Sequence, residues 1–416
     1  MKKLLTIMML MPLLALGEEA KDGDVPNWKD ETLSGDWGGL RTNLYQKGIE
    51  VGIAHKSDVL SNVSGGIDHG TAWLGHTEIS FGLNLDKLLG WADATALVTY
   101  HSNLGSKFNR NYISRLMGVD NIEVATNTAQ FYQAWVQKNF LNDHVSALVG
   151  LYAIDTEFYT NEAAGLFLQP PYGMANEVAQ AGENGPPVFP LGALGTRLKI
   201  TSPDDNCYLQ AAVTDGVPGD VDNPRGTHIK LGRGDGMLTM AEFGHAPKFQ
   251  GDTKEPAEYF NKTAIGFWRY TTEFDAIDGS GSRRHNQGAY VLAERTLFME
   301  SGQYTQGLAG FVRLGVANKD VNQIDWSSSV GLRYRGLIVG RNDDVAGVAI
   351  TVNHASDKYR HANNTDSAET DIEMTYRIQA TPYLAVQPNV QLIKNPGMDP
   401  SLKDAWVLGA RLEMDI

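Results

Sequence analysis

The chain of 416 residues has a single cysteine, Cys207. One thiol excludes a disulfide framework and a cysteine-built zinc knuckle, and without a partner histidine it supports no nucleophile. Basic residues are also scarce. There are 35 Lys and Arg against 49 Asp and Glu, a net charge of −14 and a pI near 5.2. Nucleic-acid binders carry basic patches, so that class of partner is excluded. Charged residues make up 20% of the chain, below the roughly 25% of a soluble protein. After the first few residues no apolar run approaches the ~20 residues of a membrane-spanning helix. A mean hydropathy of −0.28 excludes a polytopic helical membrane protein. No internal repeat or linker marks a second domain. Glycine is in excess at 44 residues, near 11% against a usual ~7%. Many strands and many turns suit that profile.

At the N-terminus, Lys2 and Lys3 precede a nearly apolar stretch from Leu4 to Leu14. Ala15 and Gly17 stand at −3 and −1 of a cut before Glu18. This pattern is a secretory signal, and the run is too short to be a membrane span. Residues 1–17 are therefore expected to be removed, leaving the mature chain two charges more negative. Position 18 is Glu, so nothing points to a lipoprotein. Residues 18–47 are charged and do not alternate, which fits a periplasmic arm or a short helix plugging a barrel.

The rest of the chain alternates. In 73–85, Trp73, Thr77, Ile79, Phe81, Leu83 and Leu85 share one face, and His76, Glu78, Ser80 and Asn84 share the other. Period two over a dozen residues is a strand. The same test predicts strands near 49–59, 73–85, 92–101, 131–140, 145–152, 194–202, 207–214 and 237–244. It predicts eight more near 262–273, 288–299, 307–317, 327–336, 345–354, 369–380, 382–393 and 405–416. Most are longer than the ~5–6 residues of soluble strands and near the ~9–11 that a tilted strand needs to cross a bilayer. An even count suits a bacterial barrel. Only a closed barrel pairs every backbone group of a spanning sheet.

The faces support this reading. In 369–380, Ile372, Met374, Tyr376 and Ile378 oppose Asp371, Glu373, Thr375 and Arg377. In 307–317, Leu308, Val312, Leu314 and Val316 oppose Arg313. In 262–273, Ala264, Gly266, Trp268 and Tyr270 oppose Thr263, Arg269 and Thr271, which assigns Arg269 to a polar lumen. The last segment runs apolar on alternate residues to Ile416, unlike a fraying soluble terminus. The expected fold is a closed antiparallel transmembrane β-barrel of about sixteen strands over 48–416. The long gaps after 101 and 152 would be extracellular loops or loops folded into the lumen, and the short gaps periplasmic turns.

Several stretches resemble one family. GDWGGLR (Gly35 to Arg41) and GIEVGIAHKSDVLSNVSGG (Gly48 to Gly66) resemble the N-terminal signature of the carbohydrate-selective porins, OprB. FYQAWVQKNF (Phe131 to Phe140) resembles its aromatic strand, and AIDTEFYTNEAAGLF (Ala153 to Phe167) its long loop. PLGALGTRL (Pro190 to Leu198), DGVPGD (Asp215 to Asp220), EMTYRIQATPYLAVQPNVQLIKNPG (Glu373 to Gly397) and WVLGARLEM (Trp406 to Met414) follow in the family's order. The resemblance implies a sixteen-stranded outer-membrane barrel passing sugars by diffusion, without catalysis, cofactor or energy coupling. It leans towards a monomer, embedded among lipid and lipopolysaccharide after insertion by the barrel-assembly machinery. The chain departs from the family at Gln133, where a Glu is usual, at Leu148, where an Arg is common, and at Ile416, where an aromatic closes the barrel.

A sugar offers hydroxyl groups and apolar ring faces, and its binding must stay weak enough for release. The candidate lumen residues are His76, Glu78, Gln133, Gln137, Arg197, Glu242, Arg269, Glu294, Arg313, Arg333, Glu373, Arg377 and Gln391. Each is also what any water-filled barrel places on its inner face. The loop residues Asp155, Glu157, Phe158, Asn161, Glu162 and Phe167 would supply carboxylates and aromatics if that loop folds inward, or would latch it. Arg233-Gly234-Asp235 is a chance tripeptide in a surface turn. Asp215, Asp220 and Asp222 read as a solvated turn before a Ca²⁺ site. The ten histidines show no zinc spacing, so no metal is expected. The rival readings are a general or cation-preferring porin on the same barrel, and a secreted all-β glycan-binding protein or glycoside hydrolase, the last needing two carboxylates about 5–10 Å apart.

Overall fold

The computed structural model describes residues 25–113, 118–249, 258–300 and 303–416. The leader expected at 1–17 lies outside them. Sixteen strands close into one antiparallel barrel in which each strand pairs with its sequence neighbours and the last with the first. They are β1 (Ile49–Gly66), β2 (Gly70–Asn84), β3 (Ala94–Gly105), β4 (Thr128–Phe140), β5 (Val145–Tyr152), β6 (Ala193–Thr201), β7 (Cys207–Asp215) and β8 (Met237–His245). The circuit continues with β9 (Asn261–Asp275), β10 (Arg283–Glu300), β11 (Gln303–Ala317), β12 (Ile324–Arg335), β13 (Val345–Ala355), β14 (Ala368–Thr381), β15 (Leu384–Lys394) and β16 (Lys403–Asp415). Every predicted strand is present. Several run further than the alternation shows, notably β1 and β10 at 18 residues each. The added ends carry little hydrophobicity, Val63 being the one large apolar residue from Asn62 to Gly66, but this stretch still pairs with β16.

The outward face is apolar around the circuit. Val59, Phe81, Leu198, Ile265, Val312, Val330, Met374 and Leu408 are all exposed there. Trp73 and Trp406 lie towards the end remote from the start of β1 and the end of β16, and Phe140, Phe243 and Phe298 towards the other. Such an outer band flanked by aromatics is what lipid covers in a barrel. The start of β1 and the end of β16 lie at one end, the terminal end of the barrel. The three longest connections, 106–127, 153–192 and 216–236, all leave the opposite end, the extracellular one by the rule that periplasmic turns are short.

Before the barrel, α1 (Trp28–Glu31) and α2 (Leu40–Gln46) pack at the terminal rim. Arg41 of α2 is buried and donates to the carbonyl oxygens of Ile416 at 2.8 Å and Val51 at 3.2 Å. The segment thereby satisfies the open end of the closing strand.

Closure between β1 and β16 is reinforced inside the barrel. Arg411 donates through Nε and Nη2 to both carboxylate oxygens of Asp58, at 2.9 and 2.6 Å. Asp120 and Asn121 of the 106–127 loop take further bonds from the same guanidinium. That loop folds inward: Phe108, Ile113, Val119 and Ile122 pack on Leu60, Leu74, Ile393 and Val407 of the wall.

Candidate functional site

The 153–192 loop joins β5 to β6 by crossing the barrel interior. A crossing backbone exposes N–H and C=O groups that must find partners once water is excluded. The inner wall supplies them, carboxylates meeting N–H groups and a guanidinium meeting carbonyls. Glu242 on β8 accepts the Tyr159 N–H at 2.9 Å, the hydroxyls of Tyr208 at 2.7 Å and Tyr290 at 2.6 Å, and the Gln210 amide at 3.2 Å. Glu294 on β10 accepts the Ala163 N–H at 2.8 Å. Glu373 on β14 accepts the N–H groups of Leu168 at 2.7 Å and Gln169 at 3.1 Å, and the Asn389 amide at 2.7 Å. Arg313 on β11 donates to the carbonyls of Tyr159, Pro171, Tyr172 and Gly173 at 2.7–3.2 Å. Gln391 on β15 accepts from the Gln169 side chain at 3.0 Å and donates to the Val119 carbonyl at 2.9 Å, tying both inserted loops together. All five anchors are buried.

Apolar packing supports the same crossing. Ile154, Phe158, Tyr159, Met174 and Val178 rest on Leu238, Met240, Trp268, Tyr270 and Leu292. Ala163, Leu166, Phe167 and Tyr172 rest on Ala309, Phe311, Val345 and Ala349. Two wall glycines make room. A Cβ on Gly315 would fall on Oε1 of Glu177, in the short helix Asn176–Ala179, and one on Gly347 would meet Leu166 at 2.5 Å.

This packing corrects one expectation. Trp268 and Tyr270 of β9 are buried inside, beneath the loop, and Arg269 lies exposed on the outer face between Phe267 and Thr271. The alternation on β9 is real, but the inner face is the apolar one there because protein, not water, covers it. The other strand residues named from sequence face inward. A bulge in β4 produces an oddity: the partner of β3 jumps from Gln133 to Phe131, and Tyr132 and Gln133, adjacent in sequence, are both buried inside.

The structure distributes the remaining candidates among separate arrangements. Arg197 holds Glu157 with Nε and Nη2 at 2.8 and 2.7 Å and also donates to Gln137 at 2.6 Å. Asp155 accepts the Tyr132 hydroxyl and the Phe189 N–H, both at 2.9 Å. Burial pushes the Asp155 carboxyl up to about 6, against those two hydrogen bonds. Burial likewise pushes Glu123, in the 106–127 loop, up to about 7 although it accepts the Asn109 N–H. Towards the terminal end, Arg333 pairs with Glu258 and Arg377 with Glu413, each at 2.9 Å. His76 and Glu78 sit on β2 beside His101 of β3.

Groups less deeply covered face the lumen with both signs of charge. Lys56, Lys199 and Lys262 are half-buried, as are Glu78 and Glu157, and Glu162 of the crossing loop is exposed. Mixed donors and acceptors suit a hydroxylated neutral solute, which offers both. Sequence reasoning did not single out Tyr159, Tyr290, Asp58, Arg411 or His101. Asp58 and Arg411 had a signal, an acid and a base on the inner faces of the first and last strands. Tyr159 and His101 had none, because their partners come from elsewhere in the chain.

A family model described as "Carbohydrate-selective porin, OprB family" matches residues 68–415. Porin B of Pseudomonas aeruginosa is 23% identical, over 96% of this chain and 94% of its own. A protein named putative porin QuiX, from Acinetobacter baylyi, is also 23% identical, over 92% of each chain. The high-pH structure of Pseudomonas putida OprB superposes with a TM-score of 0.82 at 20% identity, covering 94% of this chain and all of that one.

Proposed function

The chain belongs to the carbohydrate-selective porin family, OprB, as an outer-membrane channel for sugars, and on that premise we propose how it narrows its lumen for them. The loop 153–173, anchored by Glu242, Glu294, Arg313, Glu373 and Gln391, is the constriction, and sugars pass beside it by unassisted diffusion. The observation that carries this is the crossing itself, buried on both apolar and polar anchors. The lumen groups of both signs would exchange hydrogen bonds with sugar hydroxyls at low net cost, and a short residence keeps flux high. The buried anchors hold the constriction and the half-buried Lys56, Glu78, Glu157, Lys199 and Lys262 touch the solute.

In this reading residues 1–17 are an export leader, 18–47 an arm at the periplasmic rim, and 48–416 the barrel. The protein acts without catalysis, as a monomer whose outer band meets lipid and lipopolysaccharide after the assembly machinery inserts it. The test is solute flux through purified protein in liposomes, comparing glucose, a disaccharide, an amino acid and a small anion. Sugar entry faster than that of size-matched competitors, saturating with sugar, supports the reading. Entry ordered by size alone would leave a general porin, and faster entry of cations would favour the cation-preferring one suggested by the −14 charge.

A further inference from the structure

β2 and β3 bring His76 and Glu78, two residues apart on one strand face, together with His101, which no sequence spacing connects to them. Glu78 stands directly opposite His101 in the β2–β3 register, and His76 opposite Asn103. One ligand atom from each of His76, Glu78 and His101 lies within 4.8 Å of the other two. We propose that these three residues bind a divalent transition-metal ion on the lumen wall.

The surroundings are those of a prepared site. His76 Nδ1 lies 2.7 Å from the Asn103 carboxamide oxygen. A proton shared there leaves the Nε2 lone pair of His76 free, the outer-shell hydrogen bond that orients a ligating imidazole. His101 is fully buried, yet its Nδ1 has no hydrogen-bond partner. An unpaired buried ring nitrogen costs stability unless something meets it. Phe189 packs edge-on against both imidazoles at 5.4 Å, and Tyr132 stacks on His101 at 5.1 Å, so the rings are held in place. Glu78 is half-buried and opens the cluster to the lumen. Lys56, cross-strand from His76, is the cation that faces Glu78 before an ion arrives.

Two imidazole nitrogens and one carboxylate oxygen suit Zn²⁺, Cu²⁺ or Ni²⁺. Ca²⁺ and Mg²⁺ prefer all-oxygen sets. Zn²⁺ bonds of about 2.0–2.1 Å put tetrahedral ligands roughly 3.4 Å apart. Side-chain movements of about an ångström therefore close the site, and a water completes it from the lumen.

The test uses the full-length protein, folded in detergent and without a histidine tag, titrated with Co²⁺ and then Zn²⁺. The expected result is one Co²⁺ per chain with the strong visible absorption of a tetrahedral site, displaced by Zn²⁺. Glu78→Gln and His101→Gln should each weaken binding tenfold or more, and Asn103→Ala should weaken it to a smaller degree. Folding is checked by the slower gel mobility that unfolding by heat produces. Should His101→Gln fail to fold, Glu78→Gln on the lumen side decides. Folded wild-type protein that takes up no Co²⁺, or a Glu78→Gln variant that binds it as the wild type does, overturns the site. Either outcome is separate from the sugar reading, which is tested by the flux of the wild-type protein without metal.

Discussion

The guanidinium of Arg313 lies 4.4 Å from the centroid of the Tyr159 ring and donates to the Tyr159 carbonyl oxygen at 3.2 Å. One side chain of the wall thus holds the crossing loop by its backbone and by an aromatic face. Three more carbonyls of the same loop end on that guanidinium. Hydrogen bonds to a charged group contribute about 1.5–3 kcal/mol each, so Arg313 is the strongest single anchor of the constriction.

Arg313→Leu should release the loop and leave the barrel closed, because no inter-strand bond is lost. Four buried carbonyls lose their donor, a local cost of at least about 3 kcal/mol. Single-channel conductance should rise, and amide exchange over 159–173 should accelerate while the strands keep their protection. Unchanged conductance would mean that the loop does not set the narrowest point.

Gly315→Val acts from the other side. Its new Cβ would occupy the position of the Glu177 carboxylate, which accepts the Tyr159 hydroxyl at 2.9 Å and the Ser327 hydroxyl. The short helix Asn176–Ala179 must leave the wall, and overpacking of this kind costs about 1–3 kcal/mol. Proteolysis within 174–185 should become faster, with heat-modifiable gel mobility retained. Gly315→Val protein that resists cleavage as well as the wild type would count against the close approach.

The loop should loosen as pH rises. The folded-state value of Asp155, about 6, lies above its ordinary 3.8, so the folded loop favours the protonated carboxyl. Its stabilising contribution is complete below the ordinary value and is lost as pH rises through about 6. Glu123 has the same sign, its loss running from the ordinary 4.5 to about 7. Exchange at the Phe189 amide, corrected for its intrinsic pH dependence, should report a smaller opening free energy at pH 7.5 than at pH 4.5. Asp155→Asn should flatten the part of the slope near pH 6. A slope of opposite sign in the wild type would refute this account.

Arg269→Ala should change nothing in the channel. The side chain is on the outer face, away from the lumen, and surface substitutions usually stay within about 0.5 kcal/mol. Sugar flux in liposomes should equal that of the wild type. A drop in sugar selectivity would place Arg269 back inside.

The barrel was legible in the residues because strand identity is local. Every inter-strand bond needs only a period of two and an outer face compatible with lipid, and the run from Trp406 to Ile416 states both. Strand ends were less legible, since Asn62 to Gly66 pair with Val63 as their one large apolar residue. The inward direction of Glu242, Glu294, Arg313 and Glu373 could be read, but not their employment. Their partners are backbone groups of a loop 83 to 205 residues away in sequence, and alternation records the face of a side chain, not what arrives in front of it.

The same limit explains Arg269 and His101. On β9 polarity pointed the wrong way because folded chain, not water, fills the lumen against Trp268 and Tyr270. His101 carried no signal at all, because its neighbours His76 and Glu78 reach it only through the β2–β3 register. Local pattern, then, specified a closed sheet with a lipid-facing exterior, since short-range sterics and burial decide those. The path of the 153–192 loop, and with it the division of inner polar residues into anchors and channel wall, arose only when distant segments met in three dimensions and buried backbone had to find its partners.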